Sequence, residues 1–190
     1  MDEIKRQIEE QGIIVSDDVL NLDAILNQQV DPSLIMEIGK QFASRFASYN
    51  ISKVLTIESS GISVAFTTAL ELGVPLVFAR KKKTLTTNED VWTERVPSFT
   101  KGIVTDIVVA KKFLNKKDNV LVIDDIIANG DAVRGLLKII QRSEAKVVGF
   151  GVVMEKTFQA GANLLRQEGI KVESLVKLRS LSGGTIEWED

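Results

Sequence analysis

The sequence predicts an α/β fold: a single domain with a central, mainly parallel, twisted sheet flanked by helices. Three observations predict it. Strand-like and helix-like segments alternate along most of the chain, which is the pattern of βαβ units. Val120, Leu121, Val122 and Ile123 form a short unbroken apolar run, which reads as a central strand buried on both faces. Small-residue turns at 58–61 and 128–131 separate a strand from a helix. Such turns lie at the carboxyl edge of an open sheet, where its ligands bind.

In chain order, residues 2–11 read as a charged helix ended by Gly12, and residues 13–15 as a short strand. Ser16 or Asp17 is expected to cap a short helix ending near Leu26, with Val19, Leu20, Leu22 and Ile25 on its apolar side. Asp31 followed by Pro32 is a strong helix start, and Ile35, Ile38, Phe42 and Phe46 carry the helix to about residue 50. Strands follow at 53–57, 76–79 and 107–110, with a helix at 62–72 closed by Gly73. The polar passage 84–105 holds paired strands around Val91 and Ile103, and 81–101 is the best candidate for a mobile lid. After residues 120–133 come a helix carrying Val133, Leu136, Leu137, Ile139 and Ile140, a strand at 146–154 and a helix at 161–167. Two last strands are expected near 171–178 and 185–188.

Composition narrows the chemistry. The 190 residues suit one domain with a sizeable core. With 24 basic and 26 acidic residues the net charge is −2, so no basic footprint for nucleic acid or an anionic membrane is present. No run approaches the roughly 18 apolar residues of a membrane-spanning helix. The charged start is not that of a signal peptide, so a cytoplasmic location is the expectation. The chain has no histidine and no cysteine. That removes Ser-His-Asp triads, thiol nucleophiles, the usual zinc sites and histidine bases. Carboxylates, lysine, arginine, backbone dipoles and a carboxylate-held hard cation remain. Gly149 and Gly151 lack the third glycine of a dinucleotide fingerprint and read as packing inside a strand.

The functional signal centres on residues 120–133. Asp124 and Asp125 end the apolar strand, and Ala128, Asn129, Gly130 and Asp131 turn into a helix. The free N–H groups and positive dipole end of such a helix suit an anion, usually phosphate. Paired carboxylates beside them suit hydroxyls or Mg²⁺. Taken alone, the two aspartates are equally compatible with an ordinary turn and helix cap. The turn of Glu58, Ser59, Ser60 and Gly61, the cations from Arg80 to Lys83 and the long polar loop change that balance. Together they place several anion-binding elements along one sheet edge.

Residues 120–132, an apolar strand, two acidic residues, two apolar residues and a small-residue loop, resemble the phosphoribosyl-pyrophosphate motif of the type I phosphoribosyltransferases. The resemblance covers nearly the whole chain. It is nearest to the bacterial branch that uses xanthine, through residues 58–61, 79–81, 98–101, 155–156 and the stretch around Leu20 and Asn27. It implies a core of about 33–154 and a small hood of about 1–32 and 155–190, built from the N-terminal segment and the C-terminal strands. It implies that Asp124 and Asp125 bind the ribose hydroxyls, and that the backbone of Ala128, Asn129, Gly130, Asp131 and Ala132 grips the 5-phosphate. Glu58, Ser59, Ser60 and Gly61, often with a non-proline cis peptide, would bind pyrophosphate together with Arg80 and Lys81. Leu20, Asn27 and Lys156 would contact the base. Mg²⁺ would be bound mainly with phosphoribosyl pyrophosphate, and the enzyme would be a homodimer. The implied reaction joins xanthine to the phosphoribosyl group in purine salvage. Activity on guanine or hypoxanthine, or a non-catalytic sensor of phosphoribosyl pyrophosphate, is the alternative.

The loop departs from the commoner Thr-Gly-x-Thr pattern. It has no hydroxyls, and Asp131 is expected to point away from the phosphate. Ala128 stands where the hypoxanthine-guanine branch has an aspartate commonly assigned to protonation at the purine. A more acidic purine that reacts as its anion relaxes that need. Without the resemblance, Leu20 reads as helix core, Asn27 as a helix end and Lys156 as a strand end.

Overall fold

A computed structural model describes residues 1–81, 90–98 and 103–189. Helix α1 (Asp2–Gln11) leads into β1 (Ile13–Ser16) and β2 (Val19–Asn21), then one short π-helical turn (Asp23–Asn27). Next come α2 (Pro32–Arg45), β3 (Lys53–Ile57), α3 (Gly61–Leu72), β4 (Leu76–Lys81), β5 (Val91–Ser98) and β6 (Ile103–Ala110). The chain ends with β7 (Asn119–Ile127), α4 (Asp131–Arg142), β8 (Lys146–Lys156), α5 (Gly161–Gln167), β9 (Val172–Ser180) and β10 (Glu187–Glu189).

Eight strands form one sheet in the order β10-β9-β8-β7-β3-β4-β6-β5. The central pairings β9/β8, β8/β7, β7/β3 and β3/β4 are parallel, while β10, β6 and β5 pair antiparallel at the flanks. The α/β class is therefore as expected. Strand β7 is buried on both faces because its residues alternate between two cores. Leu121 and Ile123 pack with α2 and α3 through Ile38, Phe42 and Val64. Val120 and Val122 pack with α4 and α5 through Leu136, Ile139 and Leu165. Gly149 and Gly151 are packing positions, as read. A Cβ on Gly149 would lie 2.7 Å from the Phe46 ring, and one on Gly151 2.8 Å from the Phe42 ring.

Two local expectations change, and one strand pairing is as expected. The helix placed after Ser16 is instead the hairpin of β1 and β2, followed by the π-turn. The Ser16 hydroxyl accepts from the Asp18 amide at 3.3 Å, which forms the tight turn. Leu20 and Leu22 are then buried at alternating positions, a period of two that the apolar spacing also allowed. Helix α2 stops at Arg45 rather than near residue 50, although Asp31 caps it as expected, accepting from Ser33 N at 2.8 Å and Leu34 N at 3.3 Å. The paired strands expected around Val91 and Ile103 are β5 and β6, joined along the whole length of β5 in the middle of the candidate lid. Salt bridges from Lys138 and Arg142 of α4 to Glu94, both at 3.2–3.3 Å, hold β5 to the body. Residues 82–89 and 99–102, including Lys82, Lys83 and Lys101, lie outside the described residues.

The C-terminal strands continue the central sheet toward the N-terminal segment. Trp188 Nε1 donates to Glu9 at 2.6 Å, and Lys5 sits 5.6 Å from the Trp188 ring. Ile4, Ile8, Leu20, Leu22, Leu178 and Leu181 share one core with residues of α2, α3 and β7, so the two ends of the chain pack together and cover part of that face of the sheet.

Candidate active site at the carboxyl edge of the sheet

Strands β3, β4, β7 and β8 run parallel, so their carboxyl ends open on one edge. The turn at 58–61 follows β3. Arg80 and Lys81 end β4, and Asp124 and Asp125 lie in the last turns of β7. Lys156 ends β8. Four separate sequence segments are thereby brought to one place.

Asp124 is buried, with 7% of its surface exposed, and Asp125 beside it is half-buried. Asp124 accepts from the Asp125 amide at 3.0 Å. Burial, and then the neighbouring Asp125 charge, push the Asp124 carboxyl well above the usual carboxylate range, while the Lys81 ammonium pulls the other way. The approach is close. A Cβ on Gly61 would meet Thr56 Oγ1 at 2.6 Å and Asp124 Oδ1 at 2.7 Å. Thr56 is fully buried, and its hydroxyl has no hydrogen-bond partner among the described residues. Sequence reading passed over it because a threonine inside a strand carries no signal of its own.

The turn after β3 begins with a cis peptide between Glu58 and Ser59. The Glu58 carboxylate receives Arg80 Nε at 2.7 Å and the Lys81 amide at 2.5 Å. Glu58 therefore ties this turn to the cations of β4. The Arg80 side chain stays 65% exposed.

The loop after β7 turns at Gly130, whose φ of 83° is a left-handed conformation that favours glycine. Helix α4 starts at Asp131, so the loop amides and the positive helix end coincide as expected. The loop is held from behind by Gly161, whose amide donates to the Ala128 carbonyl at 3.1 Å.

Lys156 is almost fully buried, and its ammonium donates to the Asp18 carbonyl at 2.6 Å. Burial lowers its pKa, against a smaller opposing pull from the Asp18 charge. The lysine thus joins the end of β8 to the β1–β2 turn, two residues from Leu20, which is itself buried in the core of the cover. Asn27 is exposed and donates to Asp23 at 2.9 Å. Asp23 also accepts from Asn21 and Gln28 and so organises the π-turn. The preceding residue, Glu155, faces the other way. It takes a bidentate Arg166 guanidinium at 2.7 and 2.6 Å and a hydrogen bond from the Ser174 hydroxyl.

A carboxylate pair, a small-residue turn that opens a helix and a cation-bearing turn share one edge of a parallel sheet. The chain belongs to the phosphoribosyltransferase family: the family model described as the phosphoribosyl transferase domain matches residues 23–167. Relatives are similar along the whole chain. The xanthine phosphoribosyltransferase of Moorella thermoacetica is 52% identical over 185 residues, covering 97% of this chain and 94% of the relative. That of Oceanobacillus iheyensis is 49% identical, covering 100% and 98%. That of Bacillus licheniformis is 48% identical, covering 98% and 96%. Among solved structures, adenine phosphoribosyltransferases from Rhodothermus marinus and Thermoanaerobacter pseudethanolicus share the fold. Their TM-scores are 0.74 and 0.75 and their identities 23% and 19%. The match covers 94% of this chain and 100% of the first, and 93% of this chain and 98% of the second.

Proposed function

We propose that the protein transfers the 5-phosphoribosyl group of phosphoribosyl pyrophosphate to N9 of xanthine, giving xanthosine monophosphate and pyrophosphate in purine salvage. The observation that carries this reading is the pairing of the β7 carboxylates and anion loop with a buried lysine at the end of β8. It accords with the whole-length likeness to enzymes named for xanthine.

In this reading the backbone of residues 128–132 binds the 5-phosphate and Asp124 and Asp125 take the ribose hydroxyls. N9 attacks the anomeric carbon as the bond to pyrophosphate breaks, through an oxocarbenium-like state. The aspartates hold the sugar and the cover holds the base in line, which converts encounter into geometry. Arg80, Lys81 and the amides of residues 58–61 stabilise the departing pyrophosphate. Ala128 has no titratable group, which suits a purine that arrives as its anion.

Base choice falls to Lys156, with Leu20 packing and Asn27 donating. An ammonium has three donors and no acceptor, so with one donor on the Asp18 carbonyl it still faces a 6-oxo group and rejects a 6-amino group. The second N–H of the Asn27 amide remains for a 2-oxo group, which hypoxanthine lacks.

Two adjacent carboxylates, one pushed toward its neutral form, fit Mg²⁺ that is held mainly by the oxygens of phosphoribosyl pyrophosphate. The ion would supply charge neutralisation at the diphosphate. We further propose a cytoplasmic homodimer. Among the described residues no helix is long and apolar enough to cross a membrane. Phe66 and Leu70, one turn apart on α3, are 57% and 56% exposed and offer a surface for a second copy.

Pyrophosphate release against xanthine, guanine and hypoxanthine tests the activity, with Lys156→Ala beside the native protein. Xanthine should be preferred. The variant should lose roughly 10- to 100-fold in kcat/KM for xanthine, the worth of a charged hydrogen bond, with little change in KM for phosphoribosyl pyrophosphate. Equal rates on the three bases would sink the xanthine assignment.

A further inference from the structure

We infer that Glu155, Arg166 and Gly161 are positioning residues that set the shape of the sugar-phosphate loop from behind. The inference rests on the proposed role of residues 128–132 and deepens it.

Three observations converge. First, α5 is seated directly against the loop. The Gly161 amide donates to the Ala128 carbonyl at 3.1 Å, and a Cβ on Gly161 would lie 2.4 Å from that oxygen and 2.7 Å from Gly130 N. The contact is reciprocal, since a Cβ on Gly130 would lie 3.1 Å from Gly161 Cα. Backbone packs on backbone here, so the loop cannot move toward α5, and α5 cannot carry a side chain at this point.

Second, the seating of α5 has its own lock. Arg166, near the end of that helix, binds Glu155 with both guanidinium arms at 2.7 and 2.6 Å. Asn163 accepts from the same guanidinium at 3.1 Å, and the Ser174 hydroxyl of β9 bonds Glu155 from the other side. Glu155 is 2% exposed. A bidentate guanidinium on a buried carboxylate fixes geometry more than it adds net stability.

Third, the lock is in register with the loop. Glu155 of β8 pairs with Ile127 of β7, the residue immediately before the loop begins. A shift of Arg166 would therefore be felt on both sides of residues 128–132, through the strand pairing and through Gly161. The next residue along β8 is Lys156, whose ammonium reaches the cover on the opposite face. The end of β8 thus holds the sugar-phosphate loop with one residue and the base cover with the next.

The test separates the loop from the rest of the site. Ribose 5-phosphate probes residues 128–132, and inorganic pyrophosphate probes the turn at 58–61 with Arg80. Isothermal titration would measure both on the native protein and three variants. Gly161→Ala pushes on the loop directly. Glu155→Gln with Arg166→Met removes both charges together and so avoids stranding a buried carboxylate. Arg166→Lys keeps the charge but loses the fork.

The dissociation constant for ribose 5-phosphate should rise by about tenfold or more in Gly161→Ala and in the double variant. Arg166→Lys should recover part of the loss in the double variant, and pyrophosphate binding should stay within about twofold throughout. Unchanged ribose 5-phosphate affinity in both Gly161→Ala and the double variant would overturn the inference. So would an equal loss for both probes, which marks general loosening. If the native protein does not bind ribose 5-phosphate, the reading of the loop itself fails and this inference falls with it.

Discussion

Asp124 is held where a carboxylate is least comfortable. It is buried beside a second aspartate, with Gly61 and the Thr56 hydroxyl close by. Burial and then the Asp125 charge raise its pKa in the folded, unliganded protein. The sign follows: this group's contribution to stability is full below the ordinary carboxylate pKa and is lost as pH rises through the folded value. Asp124→Asn should remove that loss, raising stability near neutral pH by on the order of 1 kcal/mol while abolishing turnover, the trade common at active sites. Thermal melts between about pH 4 and pH 8 check it, since the gain should shrink toward the acid end. A variant that melts below the native protein at neutral pH would show that the carboxylate is stabilised by something this geometry does not contain. Asp124 and Asp125 were legible in the sequence because their place after an apolar run is a pattern. Thr56, Gly161 and the Asp18 carbonyl were not, because each matters only through a neighbour distant in the chain.

Among the elements, those with strong local chemistry are the ones the sequence placed well. The Asp31 cap with Pro32, the left-handed Gly73 and the small-residue turn before α4 act within a few residues of themselves. Asp31→Ala should therefore destabilise the protein by roughly 1 kcal/mol through the lost cap and leave kcat unchanged. Denaturant unfolding alongside an activity assay measures both, and a fall in kcat would mean that α2 does more than support the sheet. The hairpin of β1 and β2 is not legible in the sequence, because Val19, Leu20 and Leu22 fit either period and the partner strand decides between them. The strands around Val91 and Ile103 are legible in the sequence, within a stretch whose polarity also reads as lid. The order of β5 comes from pairing with β6 and from Glu94 meeting α4.

On the scale of the whole molecule, the sheet divides two cores, and its parallel strands deliver four segments to one edge. The cover joins both ends of the chain through Trp188, Glu9 and the shared apolar cluster. If the exposed pair on α3 meets a second copy, sedimentation velocity should give a dimer for the native protein. Phe66→Ser with Leu70→Ser should then shift it to monomer, and a native protein that sediments as a monomer would end the proposal.

The sequence by itself determined the α/β class, the buried strand β7, its carboxylates and the small-residue turn into α4 that follows. These depend on hydrophobic period and turn chemistry, which are local and leave their mark residue by residue. Only the tertiary structure decided that Lys156 reaches the Asp18 carbonyl, that Glu58 clasps Arg80, and that Gly161 backs the loop beneath the locked Glu155 and Arg166. Those contacts join residues that the chain separates by up to 138 positions, and no local preference records which distant surface will close against which.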